Sequence, residues 1–464
     1  MTSLYARLQY YKVSSDEIMT KRLYFSVLLT PRRTDSMRIV TLSTILTGAL
    51  AFGLVAAQTP DPSNGHWVDT WTATPQLTEA SGLPPPPFNT SANIFENATL
   101  RQTLHLSLGG PFIRLRFTNV FGTTNLPVSA VTVALPANGS SGVSGIQPET
   151  LQNVTFSGAT SFSIPNGALL VSDPINMPLE PRSVISVSMF LESGQQGLDI
   201  TSHPLSMTTS FFVNGNAVED TDFEGAESAE HWYFVSAVEA WAPRESVTFA
   251  VLGDSITDGR GSDVDGNDRW PDQLFIRMQN NTNTSHIALI DQGLDGNRIL
   301  ADGLGPNALG RLDRDILSHS AVKFAMIFEG VNDIGTSNTD SASQAALIDE
   351  LLVAYQQIIS RVHALGIPMF AATITPFGNF AQYTDPAREA TRQVINKWIR
   401  TSGKFDAVID FDAVARDPNN ATVLAPEFDS GDGLHLNSVG YHALANAIPL
   451  EIFDQFADGV SGFE

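Results

Sequence analysis

One serine stands where the chain could use it for chemistry. Residues 249–262 read FAVLGDSITDGRGS, so an apolar run stops at Gly253 and Ser255 follows two residues later. The hydroxyl of an isolated serine is hardly ionised at neutral pH, and it becomes a nucleophile only beside a base that a third group orients. Ser255 is therefore a candidate nucleophile if the chain supplies those partners.

The candidate base is His435, one of nine histidines. It lies in the glycine-rich sequence DSGDGLHLNSVGYHALANAI, and Asp432 precedes it by three residues. On a tight loop, this spacing lets the carboxylate accept the Nδ1 proton of the imidazole and leaves Nε2 free to face a serine. An ordinary loop with capping residues before a helix has a similar composition, so the spacing alone leaves both interpretations open.

Acyl transfer also requires N–H groups aimed at the oxyanion. Gly296, in DQGLDGNRIL, can expose its backbone N–H because it has no side chain, and Asn332, in FEGVNDIG, offers a neutral amide. Glycine and asparagine are also common turn residues. The informative feature is that these signals, like Ser255 and the Asp432–His435 pair, lie where strands of one predicted sheet end.

The elements that must position these residues are predicted from residue 245 onward. Continuous apolar strands alternate there with helices, which is typical of a parallel sheet covered on both faces, with ligands beyond the carboxyl ends of its strands. The sequence therefore predicts an α/β domain over 245–456. The predicted strands are 247–252, 286–290, 323–328, 368–374 and 406–411, and the predicted helices lie near 269–279, 341–365, 386–402 and 438–456.

A different pattern fills residues 66–241. Short alternating or β-rich runs, such as FIRLRFTNVFG and SVISVSMFLE, are separated by glycine, proline and asparagine. This pattern predicts an accessory domain built as an antiparallel β-sandwich or jelly roll. The proline-rich stretch 81–88 is predicted to be an extended surface loop.

Four short motifs resemble the SGNH hydrolases, also called GDSL-type esterases and lipases. They are GDSI at 253–256, GLDG at 293–296, GVND at 330–333 and DGLH at 432–435, in the order of the family. The resemblance implies a three-layer α/β/α flavodoxin-like domain that hydrolyses carboxylic esters without a cofactor or metal. One departure is Asp291, which stands where the second motif often begins with asparagine.

The same resemblance implies a role for each matched residue. Ser255 would be the nucleophile, His435 the base and Asp432 the group that orients it. The oxyanion donors would be the Ser255 N–H, the Gly296 N–H and Asn332 Nδ2.

Longer phrases resemble a subgroup of secreted esterases associated with the degradation of xylan and other polysaccharides. They include WVDTWTATPQ (67–76), GDSITDGRGSDVDGNDRWPDQL (253–274) and FDAVIDFDAVARDP (405–418). This resemblance implies an ester-bearing substrate, an acylated carbohydrate, with acetate as the acyl group. Two alternatives stay open: a lipase or broad arylesterase, and a carbohydrate-binding protein whose hydrolase domain is vestigial.

Several other acidic residues near the motifs are expected to be structural. Asp254, Asp333 and Asp410 are predicted to fix loops. The group of Asp258, Asp263, Asp265 and Asp268 looks like a calcium loop, but its spacing lacks the EF-hand pattern, so no metal is assigned. Trp270 could line a substrate pocket or belong to the core.

Composition excludes several classes of function. Aspartate and glutamate outnumber lysine and arginine by 49 to 26, which gives a formal charge of −23 and disfavours binding to nucleic acid or anionic membranes. The chain has no cysteine, which excludes disulfides, thiolate catalysis and cysteine-bound zinc.

The N-terminal residues 1–57 are predicted to be an extension followed by a secretory signal. The uncharged run 39–57 follows three arginines and ends in small residues. Met37 is an alternative start to Met1, and an uncleaved membrane anchor remains the alternative to cleavage. The chain is thus expected to be extracellular, with no stable membrane association after cleavage. Glycosylation sequons agree with secretion; they begin at Asn89, Asn97, Asn138, Asn153, Asn280, Asn283 and Asn420.

Overall fold

The structure, a computed structural model, describes residues 61, 63–90 and 92–462. The predicted signal over 1–57 and the choice between Met1 and Met37 lie outside these residues. Among the residues described, no helix is long and apolar enough to span a bilayer. Of the seven sequon asparagines, Asn89 is half-buried and the other six are exposed.

Over the described residues 66–90 and 92–242, the chain consists of strands joined by loops and three short 3-10 turns at 80–82, 137–139 and 148–150. The strands are β1 (His66–Thr72), β2 (Gln76–Leu77), β3 (Asn93–Ile94), β4 (Ala98–His105), β5 (Gly110–Thr118), β6 (Leu126–Val128), β7 (Ala130–Ala134), β8 (Gln152–Asn153), β9 (Phe162–Ile164), β10 (Leu169–Val171), β11 (Ile175–Leu179), β12 (Val184–Leu191), β13 (Gln195–Gln196), β14 (Thr201–His203), β15 (Ser210–Asn214), β16 (Glu227–Ala229), β17 (Trp232–Tyr233) and β18 (Val235–Ala242).

Two antiparallel sheets make up most of this strand-rich region. One has the order β1-β18-β5-β10, with β11 also pairing with β5, and the other has the order β16-β15-β4-β12-β7-β8. In β11, buried Ile175, Met177 and Leu179 alternate with exposed residues, as expected for a strand with one face on a core. Apolar residues of both sheets, including Leu100 and Leu115, form one buried cluster. The prediction of a strand-rich region is confirmed, whereas a jelly-roll order of the strands stays a prediction.

From residue 247 the chain alternates strands and helices. The strands are β19 (Val247–Gly253), β20 (Ile287–Gln292), β21 (Val322–Phe328), β22 (Met369–Ala372) and β23 (Ala407–Ile409), with a hairpin of β24 (Arg416–Asp417) and β25 (Asn420–Leu424). The helices are α1 (Ser255–Asp258), α2 (Trp270–Gln279), α3 (Ala308–Leu312, continued by a π turn over Asp313–Leu317), α4 (Val331–Thr336), α5 (Ser341–His363), α6 (Pro386–Thr401), α7 (Phe411–Ala415), α8 (Ser438–Ala447) and α9 (Glu451–Gln455).

The first five of these strands form a parallel sheet in the order β20-β19-β21-β22-β23. Right-handed crossovers place α2 on one face of such a sheet and α3, α5 and α6 on the other. The contacts agree, because α2 packs with α8, whereas α5 packs with α3 and α6. The predicted parallel sheet is confirmed. Its strand order reverses between β19 and β21, and ligands bind at such a reversal in open α/β sheets.

The predicted last helix over 438–456 is wrong in one respect. The structure has two helices, α8 and α9, separated near Pro449. Ile448 is already extended, with φ −78° and ψ 116°. Proline disfavours helical backbone in the residue before it and lacks an N–H to donate, so the helix ends there.

The two regions share a buried boundary. Thr72 Oγ1 donates a hydrogen bond of 2.7 Å to the Asp291 carbonyl at the end of β20. The Leu289 N–H, at the outer edge of the same strand, donates to Ser107 Oγ at 3.0 Å. By their contacts, residues 57–464 group as one compact unit. The domain limits 66–241 and 245–456 stay predictions.

Candidate active site

Ser255 is the first residue of the short helix α1 at the end of β19. The Asp254 side chain caps this helix by accepting the Ile256 N–H at 3.0 Å, and Gly259 ends it with φ +99°. A Cβ on Gly253 would lie 2.2 Å from Thr257 Oγ1, so only glycine allows the chain to turn this sharply. The turn holds the hydroxyl of Ser255 at the carboxyl edge of the sheet.

His435 and Asp432 come from the loop before α8. His435 Nε2 lies 2.8 Å from Ser255 Oγ, and His435 Nδ1 lies 2.6 Å from Asp432 Oδ2. Ser255 and His435 are 2% and 4% exposed. With the Nδ1 proton donated to Asp432, Nε2 can accept the serine proton. The structure thus brings together the three residues that the sequence predicts, although they are up to 180 residues apart.

The loop around Asp432 is tightly specified. Asp432 Oδ1 accepts the backbone N–H groups of Leu434 and His435, both at 2.9 Å. Burial works against the ionised carboxyl, but the hydrogen bonds and the charge of His435 outweigh it and hold the pKa of Asp432 well below its usual range. The side chain therefore stays anionic over the range in which an imidazole acts as a base.

The Asn332 amide has a fixed orientation. Its Nδ2 donates to the Asn297 carbonyl at 2.8 Å, and its Oδ1 accepts the Tyr383 hydroxyl at 2.8 Å. An amide nitrogen has two hydrogens, so one is left to stabilise an oxyanion. Tyr383 can approach because residue 335 is glycine, where a Cβ would lie 2.2 Å from the Tyr383 ring. The sequence did not indicate Tyr383.

Gly296 lies in the loop that follows β20, with φ +65°, a conformation that favours glycine. The start of this loop is tied to the nucleophile strand, because the Leu294 N–H donates to the Gly253 carbonyl at 3.1 Å. Its other side is tied to Asn332 through the Asn297 carbonyl. These bonds connect the loop that carries Gly296 both to the turn before Ser255 and to Asn332.

Arg311, on α3, joins the ends of two strands beneath the site. It is buried, and it donates to the carbonyls of Gly253 and Gln292, each at 2.8 Å, and to Asn297 Oδ1 at 3.0 Å. One rigid guanidinium therefore fixes both β19, which leads to Ser255, and the loop over 293–297 that carries Gly296. We call this loop the oxyanion loop. A single arginine in an apolar helix gives little sequence signal of such a role.

Asp254 and Asp333 hold backbone, as predicted. Asp333 accepts the N–H groups of Ile299 and Leu300 at 2.8 and 3.0 Å. Burial raises the pKa of Asp254 to about 7 and that of Asp333 to about 6. Buried Glu329 lies beside them, and burial together with the charge of Asp254 raises its pKa well above the usual value. The acidic residues around the nucleophile therefore carry less charge than their number suggests.

Asp410 is also structural, since it caps α7 and pairs with Arg400 at 2.7 Å. Trp270 is fully buried and packs edge-on against Phe411, which places it in the core. Asp291, at the departure from the family pattern, accepts the Gly293 N–H at 2.7 Å; burial raises its pKa to about 8.

The aspartates that looked like a calcium loop diverge. Asp265 accepts the N–H and the hydroxyl of Thr209, on the strand-rich region, at 2.7 and 2.9 Å. Asp258 pairs with a histidine from the same region, and the Asp263 N–H donates to Asp268 at 3.1 Å. Over residues 61, 63–90 and 92–462, no three histidine or acidic side chains are placed to hold a metal ion.

That histidine is His203, at the end of β14. Its Nε2 lies 2.9 Å from Asp258 Oδ1 and its Nδ1 lies 2.9 Å from the Thr74 carbonyl. Burial disfavours the charged ring, but Asp258 outweighs burial and raises the pKa of His203. Asp258 is the last residue of α1, and Ser255 is its first. The His203–Asp258 contact therefore connects the strand-rich region to this helix. No sequence pattern indicated His203.

Comparison with known families gives one match. Residues 251–443 match the model of the GDSL-like Lipase/Acylhydrolase family. This segment contains Ser255, Gly296, Asn332, Asp432 and His435. A search of curated proteins finds no match.

Solved structures give distant likenesses. A carbohydrate acetylesterase family member from Sinorhizobium meliloti is 17% identical with a TM-score of 0.35, covering 46% of this chain and 99% of its own. A GDSL-like lipase from Bacteroides thetaiotaomicron is 17% identical with a TM-score of 0.33, covering 45% and 88%. These values are too low to indicate what this chain acts on.

Proposed function

We propose, from the premise that residues 251–443 form a domain of the GDSL-like lipase/acylhydrolase family, that this carboxylic ester hydrolase works through an acyl-enzyme on Ser255. The observation that carries the proposal is the chain of short contacts from Ser255 Oγ through His435 to Asp432, at 2.8 and 2.6 Å. Such a chain supplies the base that a serine needs and the carboxylate that orients the base.

The first half of the reaction forms the acyl-enzyme. Ser255 Oγ attacks the ester carbonyl carbon while His435 Nε2 takes the hydroxyl proton. The carbonyl oxygen becomes an oxyanion, which the N–H groups of Ser255, Gly296 and Asn332 stabilise. The carbon–oxygen bond to the alcohol then breaks, and His435 gives its proton to the leaving alcohol.

The second half releases the acid. Water replaces the alcohol, His435 takes one of its protons, and the resulting oxygen attacks the acyl carbon. The same donors stabilise the second oxyanion. When the bond to Ser255 Oγ breaks, His435 returns the proton to the serine and Asp432 keeps the ring in the same orientation throughout.

Hydrolysis of an aryl acetate tests this proposal. Wild type should release the phenol, and Ser255→Ala should lower kcat/KM by about 10⁴-fold or more, since the nucleophile is lost. Ser262→Ala is a matched control, because it removes a buried serine hydroxyl seven residues along the same loop. Equal rates for wild type and Ser255→Ala would refute the mechanism and favour the alternative of a carbohydrate-binding protein.

For the substrate, we propose a small acyl group, acetate, on a plant-type polysaccharide that the enzyme meets outside the cell. The support is the sequence resemblance of 67–76, 253–274 and 405–418 to secreted polysaccharide esterases, together with the leader-like run 39–57 and the sequons. Acetate release from acetylated xylan should exceed release of longer acyl groups from soluble esters.

An acyl chain-length series separates this substrate from the lipase alternative. A strong preference for long chains, with no acetate released from acetylated xylan, would favour a lipase or arylesterase. Secretion has its own test: expression from Met1 and from Met37 should both yield protein in the medium whose N-terminus follows residue 57. Protein retained in the membrane with the run 39–57 intact would favour the anchor.

A further inference from the structure

A cleft of about 280 Å³ opens between the two regions beside the candidate active site. Residues from both regions form its walls. Those from the strand-rich region are Gln76, Glu79, Ser81, Gly82, Pro204, Leu205 and His231, and those from the α/β region are Asp295 and Leu304.

The cleft is continuous with the oxyanion loop. Asp295 directly precedes Gly296, and Leu304 packs on Gly296 so closely that a Cβ there would lie 2.7 Å from Leu304 Cδ1. A substrate whose ester lies at Ser255 therefore has the cleft next to it.

The walls of the cleft carry two carboxyl groups among apolar side chains. Glu79 and Asp295 line the cleft from opposite regions. Burial, and after it the charge of Asp295, raises the pKa of Glu79. Arg260 pairs with Asp295 at 3.3 Å, but half of its side chain is exposed to solvent. Carboxylates accept hydrogen bonds from hydroxyl groups, and leucine and proline side chains pack against C–H surfaces. An anionic group would meet repulsion.

We propose that this cleft binds the alcohol half of the ester as a neutral polyhydroxyl group, with Glu79 and Asp295 accepting its hydroxyls and disfavouring anionic sugars. The inference rests on the proposed function. It makes the strand-rich region a wall of the substrate site and specifies a neutral sugar, rather than a uronate, next to the acetylated position.

The test compares two acetylated methyl glycosides that differ by one group. Methyl glucoside and methyl glucuronoside, acetylated at the same hydroxyl, are assayed at one pH and ionic strength, and the readout is the ratio of their kcat/KM values. Wild type should favour the glucoside. Glu79→Gln should raise the relative activity on the glucuronoside by roughly 3- to 8-fold, the range for a unit charge several ångströms away in a wet cleft, and Glu79→Lys should raise it further.

Glu219→Gln is the matched control. It removes the same charge from an exposed site on the strand-rich region, among residues 213–224, none of which line the cleft. Its ratio should equal that of wild type. An unchanged ratio in both Glu79 variants, or an equal shift in Glu219→Gln, would overturn the proposal.

Binding to Ser255→Ala separates this inference from the mechanism. Calorimetry with the two glycosides needs no turnover, so it reports on the cleft even if aryl acetate hydrolysis fails the earlier test. Tighter binding of the glucoside, lost in Ser255→Ala/Glu79→Lys, supports the cleft. Serine-dependent hydrolysis of aryl acetate with no discrimination between the glycosides would retain the esterase and refute the cleft.

Discussion

Two histidine–aspartate pairs contact opposite ends of the same four-residue helix. At its start, His435 Nε2 faces Ser255 Oγ and Nδ1 faces Asp432. At its end, His203 Nε2 faces Asp258, while its Nδ1 contacts a backbone carbonyl. The same two residue types thus form the proposed base in one place and a structural contact in the other, depending on what the second ring nitrogen contacts.

Exposure and charge separate the pairs further. The Asp432 side chain is 36% exposed, whereas that of Asp258 is 6% exposed. The two histidine side chains are each 5% exposed, so the difference in exposure lies in the carboxylates. The buried contact between His203 and Asp258 is stronger when the His203 ring is charged. Asp258 raises the pKa of His203 despite burial, which favours that charged form. The comparison teaches that a His–Asp pair indicates catalysis only when one ring nitrogen remains for a reacting group.

Breaking the first pair should give the largest effect. His435→Gln should lower kcat/KM for an aryl acetate by about 10⁴-fold or more, because the proton acceptor is lost. The melting temperature should change little, since the ring contributes mainly to the reaction. A loss of stability as large as that of the next variant would contradict the distinction between the pairs.

Breaking the second pair should act on stability. His203→Gln should lower the free energy of unfolding by about 3–5 kcal/mol, the cost of leaving one buried partner of an ion pair uncompensated. Urea unfolding measures this, with His442→Gln as a control at an exposed histidine. Under conditions where the variant stays folded, kcat should fall less than 10-fold; a loss as large as that of His435→Gln would make His203 part of the reaction.

A smaller change sharpens the comparison on the catalytic side. Tyr383→Phe removes the hydroxyl that orients Asn332 and should lower kcat by roughly 3- to 10-fold, about the value of one hydrogen bond, with little change in KM. The control Tyr441→Phe removes a buried hydroxyl that donates to the Arg260 carbonyl instead. Equal effects of the two variants on kcat would argue against an orienting role for Tyr383.

The smallest effect is on the pH dependence of stability. Because the pKa of His203 is raised on folding, its contribution is fully present below the pKa of the unfolded state and is lost as the pH rises through the folded value. The difference in unfolding free energy between wild type and His203→Gln should therefore shrink as the pH rises from about 6 to 9. A difference that grows over this range would contradict a charged His203.

Much of the α/β region could be predicted because its signals are local. The predicted strand 247–252 differs from β19 by one residue, and Ser255 begins α1 just after that strand. Gly296 and His435 lie in loops, whereas Asn332 lies on α4. Parallel strands buried on both faces leave continuous apolar runs, and the four motifs supply the rest.

The residues that were missed act over long sequence separations. His203 and Asp258 are 55 residues apart, and Tyr383 and Asn332 are 51 apart. Arg311 contacts a carbonyl 58 residues away. None of these side chains stands in a pattern of its own, and only the packing of separate elements gives each of them a partner. The pattern of strands likewise predicted that the first region is strand-rich without fixing the order in which its strands pair.

The hydrogen bond from the Leu289 N–H to Ser107 has a consequence for protein engineering and for evolution. A hydrolase cut out at residue 245 would leave the outer strand of its sheet with an unpaired edge, and edges of this kind recruit other chains into aggregates. The same cut would also remove the contact of His203 with Asp258 at the end of α1. An engineered version of this hydrolase should therefore keep the strand-rich region and the α/β region together. Recombination that exchanged either region alone would be selected against.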